Sequence, residues 1–347
     1  MVAESGLVLG VDTHKEVHVT AILDELGRLV GVSCFAATDH GSEQMLAWTR
    51  RHGIVRRAGV EGTGSYGYRL TRILQRADIQ VFAVNRPDRS HRRRRGKSDP
   101  VDAEAAARAV LSGEARAFPK DREGLVGTLR ALIVARRSAV KARTQAFNQI
   151  HALLVACEDT VRDRLGRRRG RDLAQSCSRL QPKDGTRIAL RSLGRRWLHL
   201  DEEVRALTAH ISAVVKRIAP RLLERHSVGV LSAAQLLVTA GDNPDRFRSE
   251  AAFAALCGAS PVEASSGKTT RHRLNRGGDR AANTALWAIA NVRLIHDPRT
   301  RAYAERRTAL GNSRKEILRI LKRYIARELF AIIVQSLCDD RPLHVVA

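Results

Sequence analysis

Four carboxylates have the placement expected of a cation site for phosphate chemistry. Asp12 and Glu61 each end a short apolar run that is typical of a strand, while Asp99 and Asp102 open an alanine-rich helical stretch. A spacing of three puts Asp99 and Asp102 on one helix face. Carboxylates that converge from two strand ends and one helix repel one another unless cations lie between them, and Mg²⁺ is the hard cation that best suits oxygen ligands. The pattern predicts a Mg²⁺ centre for phosphoryl transfer, in which two ions stabilise the attacking and leaving oxygens.

Each acid also has a plainer interpretation when it is taken alone. Asp12 is acceptable as a turn residue and Glu61 as a loop charge. Asp99 is a plausible N-cap, because Pro100 suits the first turn of a helix. Only the joint pattern favours a metal centre.

A polar loop far along the chain contains a second group that could react with phosphate. Ser265 and Ser266 precede Gly267 within the run Gly258–Lys268. A serine hydroxyl is a weak nucleophile until a neighbouring group activates it. On spacing alone, a flexible polar loop is the stronger interpretation.

The elements that must position the acids follow from the hydropathy pattern. The pattern predicts strands over 7–12, 17–23, 29–35, 55–61 and 80–84, and helices over 41–51, 68–75 and 99–111. Three strands followed by alternating helices and strands indicate an α/β domain with a mixed sheet, in an order like that of ribonuclease H.

The rest of the chain is predicted to be helical. Two long helices, about 121–155 and 186–223, are separated by a polar break near 166–185. This arrangement favours an antiparallel coiled-coil arm over an ordinary helical bundle. The last third, 226–347, is expected to be helices joined by loops, of which 258–278 is the most polar.

The charge balance points to a polyanionic partner. The 347 residues include 61 Lys and Arg against 36 Asp and Glu, a net charge of +25. The cations cluster in three blocks, His91–Arg95, Arg162–Arg171 and Arg271–Arg276. Nucleic acid is the usual partner of such a chain, bound through its phosphates. Aromatic residues make up only 4%, so phosphate contact should outweigh base stacking.

The same composition argues against other classes of protein. No apolar run reaches the ~18 residues of a membrane span. The first residues lack the basic region of a secretory signal, so no such signal is expected. The expected location is cytoplasmic and, for a chain that binds nucleic acid, nucleoid-associated. The five cysteines are scattered without a CxxC pair, which argues against a disulfide framework or a zinc site and favours buried, reduced thiols.

Five runs of sequence resemble one known family. They are GVDTHKE, EGTGSYG, KSDPVDA, CGASPVEASSGK and LNRGGDRAANTAL. Together they resemble the DEDD-type transposases of a large bacterial insertion-sequence family (insertion sequence "one-ten"), to which the Piv DNA invertase is similar. The resemblance extends over essentially the whole chain, and KSDPVDA is its most specific part.

The resemblance implies an architecture and a chemistry. It implies a RuvC-like domain at 1–118, a coiled-coil arm at 119–225 and a mostly helical transposase domain at 226–347. Asp12, Glu61, Asp99 and Asp102 would be catalytic ligands of Mg²⁺, and Ser266 would form a covalent phosphoserine link to DNA. A structured bridge RNA would pair with donor and target DNA. The assembly would be a homotetramer built from dimers, with the acids and the serine brought together between protomers.

The chain departs from the family's sequence pattern at two places, and other functions also fit its residues. The family's usual proline-glycine-x-glycine turn is replaced here by His226–Gly229, and Arg276 stands where lysine is common. Ser265 is an alternative to Ser266. A RuvC-like, structure-selective nuclease that uses metal-activated water needs the four acids but no serine. An idle nucleic-acid-binding protein would need neither.

Overall fold

The computed structural model describes residues 6–84, 98–121, 124–265 and 272–339, and the chain divides into two compact units, Met1–Lys120 and Asp121–Ala347. Ser266 and the basic block His91–Arg95 lie outside the described residues. The predicted arm and transposase domains both fall within the second unit, and the boundary between them stays a prediction.

The first unit is an α/β fold built on one five-stranded sheet. Its elements are β1 (Leu7–Thr13), β2 (Val17–Leu23), β3 (Leu29–Ala36), α1 (Asp39–His52), β4 (Val55–Glu61), α2 (Tyr68–Arg76), β5 (Gln80–Val84) and α3 (Asp99–Leu111). The strand order is β3-β2-β1-β4-β5. β1, β2 and β3 pair antiparallel, whereas β4 and β5 continue the sheet in parallel from β1. The predicted mixed sheet is confirmed, and the element bounds agree within two residues.

Both faces of this sheet are covered. Leu9, Val11 and Ile22 face a core that also contains Met45 of α1 and Leu74 of α2. On the opposite face, Val8 and Leu23 pack against Ala107 and Val110 of α3. The helix is therefore fixed against the sheet by small and branched apolar residues, and its N-terminal end carries the two aspartates.

A pair of glycines lets α3 approach the sheet closely. Gly10 and Gly59 are register partners in the parallel pair of β1 and β4. A Cβ at Gly10 would lie 2.5 Å from the Ala107 nitrogen, and one at Gly59 would lie 2.8 Å from a methyl carbon of Val110. Any larger side chain at these two positions would push the helix away from the sheet.

The second unit is almost entirely helical. Its helices are α4 (Leu125–Ala156), α5 (Asp159–Leu165), α6 (Gly170–Ser178), α7 (Gly185–Ile218), α8 (Pro220–Leu223), α9 (Val230–Ala240), α10 (Glu250–Leu256), α11 (Arg280–His296), α12 (Pro298–Ala309) and α13 (Arg314–Asp339). A short hairpin pairs β6 (Val262–Glu263) with β7 (His272–Arg273). The predicted helical character of this region is confirmed.

The two long helices, α4 and α7, pack side by side in antiparallel directions. Arg136 donates to Thr208 at 2.7 Å and Arg143 to Asp201 at 2.6 Å, so the contacts advance along one helix as they retreat along the other. Buried positions of α7 recur at alternating spacings of four and three, namely Leu190, Gly194, Trp197, Asp201 and Val204. This spacing is typical of a coiled-coil seam. It supports the predicted arm, and supercoiling of the pair stays a prediction.

The polar break between the long helices is more ordered than the sequence predicts. Helix α5 ends just before this break and α6 lies within it. Their Leu165, Leu173 and Cys177 pack against Ile150 of α4 and Leu190 of α7. This small core cannot be recognised from the arginine-rich sequence, because the apolar positions of the core are few and widely spaced.

The five cysteines agree only in part with the prediction of buried, reduced thiols. All five cysteines are free, but Cys34 and Cys338 are exposed rather than buried. Burial raises the pKa of the Cys177 thiol to about 11.

Within the described parts of the chain, every helix is too short or too polar to span a bilayer.

Candidate active site

The sheet brings two of the predicted acids to neighbouring strand ends. Val11 of β1 is the register partner of Val60 of β4, so Asp12 and Glu61 follow at the carboxyl ends of adjacent parallel strands. Both are buried, at 6% and 8% exposure. Thr13 ties the two ends together, since its Oγ1 donates to the Glu61 carbonyl oxygen at 2.8 Å.

Helix α3 adds the other two acids. Asp102 is 7% exposed, while the Asp99 side chain is about half exposed. Ser98, not Asp99, occupies the N-cap position, so that prediction is wrong. Asp99 is the first residue of the helix, and its carboxylate lies 3.5 Å from a ring nitrogen of His14 rather than capping its own backbone.

The electrostatics of Asp12 reflect this convergence. Burial raises the pKa of Asp12, the charge of His14 lowers it, and the charges of Asp102 and Asp99 raise it further. Negative charge is therefore costly where Asp12, Asp99 and Asp102 meet. A bound cation would remove that cost, because it favours the ionised carboxylates.

His14 is a site residue that the sequence pattern did not identify. Its Nε2 lies 3.1 Å from Asp12 Oδ2 and 3.5 Å from Asp99 Oδ2. Ligand atoms of Asp12, His14 and Asp99 lie within 4.8 Å of one another, as they would around one metal ion. The available signal was the spacing: two residues apart at a strand end, Asp12 and His14 point to the same side. The carboxylates of Asp12 and Asp99 and the imidazole of His14 therefore fit a divalent cation. Glu61 and Asp102 do not belong to this group of three, and their role as ligands stays a prediction.

A second histidine lies behind the first. His18 of β2 is the register partner of Thr13 of β1, and it is only 3% exposed. Burial, and then the charge of His14, lower the pKa of His18. Both effects favour the neutral form of His18.

The predicted serine loop is anchored at both ends by a polar cluster. Ser266 lies outside the described residues, so its position stays a prediction; Ser265 ends the described stretch. Where the loop begins and ends, Gly258 and Gly278 approach so closely that no side chain would fit at Gly278. Asn275 donates to the Ala255 carbonyl oxygen at 3.2 Å.

Asn283 and Lys322 complete this anchor. Asn283 Nδ2 donates to the carbonyl oxygens of Cys257 and Gly258 at 3.1 and 2.9 Å. Lys322, only 5% exposed, donates to Asn283 Oδ1 at 2.8 Å. Burial, followed by the charge of Arg319, lowers the pKa of Lys322. Side chains of the motif LNRGGDRAANTAL thus fix the base of the loop, because they donate to backbone carbonyl oxygens where the loop begins.

A hydrogen-bonded chain links the loop's C-terminal end to the long helix α4. Thr239 Oγ1 donates to Asp279 Oδ2 at 2.8 Å and accepts from Gln235 Nε2 at 3.1 Å. Gln235 Oε1 in turn accepts from Arg137 at 2.5 Å. Asp279 also caps α11 by accepting from the nitrogens of Ala281 and Ala282. The loop is therefore held by side chains from α4, α9, α11 and α13.

Three of the six arginines in the second basic block pair with carboxylates of the same unit. Arg162 pairs with Asp159, Arg168 donates to Asp172 at 2.8 Å, and Arg171 donates to Asp201 at 2.8 Å. Part of the block's charge is therefore neutralised within the unit. The first block lies outside the described residues, and of the third only His272–Arg276 is described.

The turn before α9 shows how the chain accommodates its departure from the family pattern. Ser227 stands where the family has its first glycine, and it adopts a φ of 67°, in the left-handed region that favours glycine. A serine in this region carries backbone strain that a glycine would not.

Comparison with known proteins gives matches in both units. A family model for DEDD transposases of the IS110 type, described as "Transposase", matches residues 9–157. A second, described as "Transposase IS116/IS110/IS902 family", matches residues 219–305. A relative from Streptomyces coelicolor, "Insertion element IS110 uncharacterized 43.6 kDa protein", is 34% identical over 149 residues, which cover 42% of this chain. The match spans 36% of that relative's length.

Proposed function

Since the chain belongs to the IS110 family of DEDD transposases, we propose that it cuts and rejoins DNA strands as the recombinase of an insertion sequence. The observation that carries this proposal is the cluster of Asp12, His14 and Asp99, which forms where the end of β1 meets the start of α3 and which also feels the charge of Asp102. The sheet beside it has a ribonuclease-H-like strand order. Donor and target DNA would be the substrates, and a bridge RNA would guide the choice between sites.

The acids would hold the cation. Asp12 and Glu61 would bind it from the strand ends, and Asp99 and Asp102 from α3. A divalent cation here, Mg²⁺ in our proposal, supplies charge stabilisation for phosphoryl transfer. His14 would be a further ligand beside Asp12 and Asp99, and the buried surroundings of Asp12, Glu61 and Asp102 would limit access of water.

Ser266 would be the nucleophile. Its hydroxyl oxygen would form a bond to phosphorus while one phosphorus–oxygen bond to deoxyribose breaks. The hydroxyl proton would end on the departing sugar oxygen, so that the phosphodiester energy is conserved in a phosphoserine. The reverse reaction with another strand's hydroxyl would rejoin the DNA. Anchoring of the loop by Asn283 and Lys322 supports this role, because a nucleophile must be held in position.

One specific observation favours a second candidate, a structure-selective nuclease using metal-activated water. The acids are assembled entirely by elements of the first unit, with no contribution from the serine loop required for their arrangement. Such an enzyme would lose activity on Asp12→Asn and keep it on Ser266→Ala.

The test uses the full-length protein with its co-purified RNA, supercoiled DNA carrying the element's ends, and Mg²⁺. Denaturing electrophoresis detects a covalent protein–DNA adduct. We expect the adduct in the wild type and in the matched control Ser265→Ala, and none in Ser266→Ala or Asp12→Asn. An adduct that persists in Ser266→Ala would overturn the serine assignment. Strand cleavage by Ser266→Ala without an adduct would establish the nuclease instead.

The guide is tested separately by sequencing the RNA that co-purifies. One discrete RNA that maps beside the protein's own gene supports guided recombination. A heterogeneous mixture, or no RNA, contradicts it. Size-exclusion chromatography with light scattering, with and without that RNA, measures whether the proposed homodimer and homotetramer form.

A further inference from the structure

A cavity of about 510 Å³ lies at the base of the serine loop. Its walls include both ends of that loop, Gly258–Pro261 and His272–Asn275, together with residues of α12 and α13. This volume falls within the range of pockets that enclose small ligands. It is far too small for a duplex, and its concave shape does not suit the convex, evenly charged surface of a double helix.

The lining is strongly cationic. It contains five cationic side chains and one carboxylate, Glu316. Glu316 is already engaged, because it accepts from the Ser313 nitrogen and hydroxyl at 2.8 Å and lies 3.9 Å from Arg319. The remaining charge favours an anion, and phosphate is the anion that arginine clusters recognise best.

One of these cations points to a missing ligand. The Nε atom of Arg307 is buried and has no hydrogen-bond partner among the described residues. A buried donor without a partner is costly, and native structures usually satisfy it. By contrast, Arg323 donates to Ser260 at 2.6 Å and Lys322 to Asn283 at 2.8 Å, so these two serve the loop anchor. Arg307 is the lining cation whose buried donor lacks a partner, and Arg273 adds further positive charge to the wall.

The cavity also has an aromatic wall. Tyr303 and Tyr324, two of only four tyrosines in the chain, meet here at right angles with ring centroids 6.1 Å apart. Tyr324 is 51% exposed, although it carries a large aromatic ring. Leu274 and Ile320 add apolar surface. In a protein so poor in aromatic residues, a tyrosine pair beside an arginine cluster is the combination that binds an unstacked base together with its phosphate.

We propose that this cavity binds one unpaired nucleotide of a nucleic-acid strand, with its base against Tyr324 and its phosphate at Arg307. The proposal takes a nucleic-acid partner from the proposed function but requires none of its cutting chemistry. A nucleotide held there would lie beside the loop that carries Ser266. Base–aromatic stacking is independent of base identity, so the pocket would accept DNA or RNA and would recognise the absence of pairing rather than a sequence.

The test measures binding by the full-length protein without Mg²⁺, so catalysis plays no part. Fluorescence anisotropy compares a labelled single-stranded oligodeoxynucleotide, the same sequence as RNA, a blunt duplex, and that duplex with one unpaired nucleotide. The variants are Tyr324→Ala, Tyr324→Phe and Arg307→Ala. Arg301→Ala is the matched control, since Arg301 is an exposed arginine of the same helix, α12, that does not line the cavity.

We expect Tyr324→Ala to weaken binding of the single strand and of the bulged duplex by about 5- to 150-fold, the range that one base stack contributes. Binding of the blunt duplex should change less than twofold. Tyr324→Phe should keep wild-type affinity, because the ring remains. Arg307→Ala should weaken binding of the same two ligands, whereas Arg301→Ala should not. Whichever of the DNA or RNA strands shows the larger Tyr324 effect identifies the natural source of the nucleotide.

Three results would overturn the proposal. Equal loss of single-strand and blunt-duplex binding in Tyr324→Ala would mean that the cavity is part of a general phosphate surface. No effect of either substitution would mean that the nucleotide binds elsewhere. A free mononucleotide that binds as tightly as the oligonucleotide would make this a metabolite site. Failure to bind any nucleic acid would instead contradict the proposed function itself, so the two failures are distinguishable.

Discussion

Gly10 lies directly opposite Gly59 across the parallel pair of β1 and β4, and the two together form the floor on which α3 rests. The backbone of α3 passes over them at Ala103, Ala106 and Ala107. The same helix carries Asp99 about one turn before Ala103, and Asp102 directly before it. The distance between the acids of the helix and those of the strands is therefore set by two residues that have no side chain.

The first prediction concerns this contact. Gly10→Ala would place a Cβ against the Ala103 carbonyl oxygen and 2.5 Å from the Ala107 nitrogen. Because backbone atoms cannot move aside as a flexible side chain can, we expect a loss of about 3 kcal/mol in free energy of unfolding, the upper end for overpacking. Thermal unfolding measures the loss. Gly6→Ala is the matched control, since a Cβ there meets only a carboxylate oxygen at 3.9 Å; equal effects of the two variants would contradict the glycine floor.

The second prediction concerns Asp12 and pH. Burial and neighbouring carboxylates raise the pKa of Asp12, so between the unfolded and folded pKa values the native state binds more protons than the unfolded chain. The free energy of unfolding therefore falls as pH rises through that interval, and the cost persists at neutral pH.

Asp12→Asn removes this cost. In EDTA, we expect the variant to unfold at a higher temperature than the wild type at pH 7, with the difference vanishing at acidic pH. Added Mg²⁺ should stabilise the wild type but not the variant, because binding to the native state alone raises the unfolding temperature. A variant less stable than the wild type in EDTA would contradict the electrostatic account.

The third prediction concerns His14. An imidazole nitrogen suits Mn²⁺ better than Mg²⁺, whereas carboxylate oxygens accept both. If His14 is a ligand beside Asp12 and Asp99, His14→Ala should reduce stabilisation by Mn²⁺ several-fold and that by Mg²⁺ far less. Thermal unfolding over a titration of each chloride salt measures the difference. His40→Ala, at an exposed site on α1, should change neither curve. Equal losses for the two cations would show that His14 is not a ligand.

The fourth prediction concerns the loop anchor. Asn283→Ala removes the acceptor of the buried Lys322 ammonium and the donor to two backbone carbonyls, so we expect a cost of about 1–3 kcal/mol. Lys322→Met should cost less, because it removes the buried charge itself. In a double-mutant cycle, Asn283→Ala should cost less in the Lys322→Met background. Strict additivity of the two substitutions would contradict the coupling.

Lys322 also makes the contribution of the loop anchor to stability depend on pH. Burial lowers the pKa of Lys322, so the unfolded chain binds its proton more tightly than the native state does. The free energy of unfolding should therefore rise with pH between the lowered value and the ordinary lysine value. Lys322→Met should remove that slope.

The fifth prediction concerns the long-helix pair. Asp201 is 5% exposed and pairs with Arg143 at 2.6 Å, Arg171 at 2.8 Å and Arg205 at 3.2 Å. It joins α4, α6 and α7. Asp201→Ala should cost about 3 kcal/mol, because breaking a buried ion pair leaves partly desolvated charges.

Hydrogen exchange should place that effect in α6. Loss of the Arg171 contact should speed amide exchange there, while α9 to α13 keep wild-type rates. Glu202→Ala is the control: its carboxylate is exposed and contacts Arg171 at 3.5 Å only. If α6 exchanges at the same rate in both variants, Asp201 does not fix that helix.

Much of the first unit could be predicted because local pattern and fold agree. Five apolar runs became five strands, and the ribonuclease-H-like order followed from three strands before the first crossover helix. The ordered α5 and α6 could not be predicted in the same way, because Leu165, Leu173 and Cys177 are separated by arginines and glycines that dominate the local composition. The N-cap was misassigned because Ser98 and Asp99 are both good capping residues, and only contacts from another element distinguish them.

The sequence by itself determined the types of element and the family of the chain, and it singled out the four candidate acids, since these depend on residue types and spacings along one chain. Tertiary structure alone decided what surrounds them. His14 joins Asp12 and Asp99 only because β1 and α3 meet over Gly10 and Gly59. Asn283 and Lys322 anchor the serine loop only because α11 and α13 pack together. Arg307 and Tyr324 share a cavity for the same kind of reason: contacts between residues distant in sequence depend on packing, which spacing along the chain does not encode.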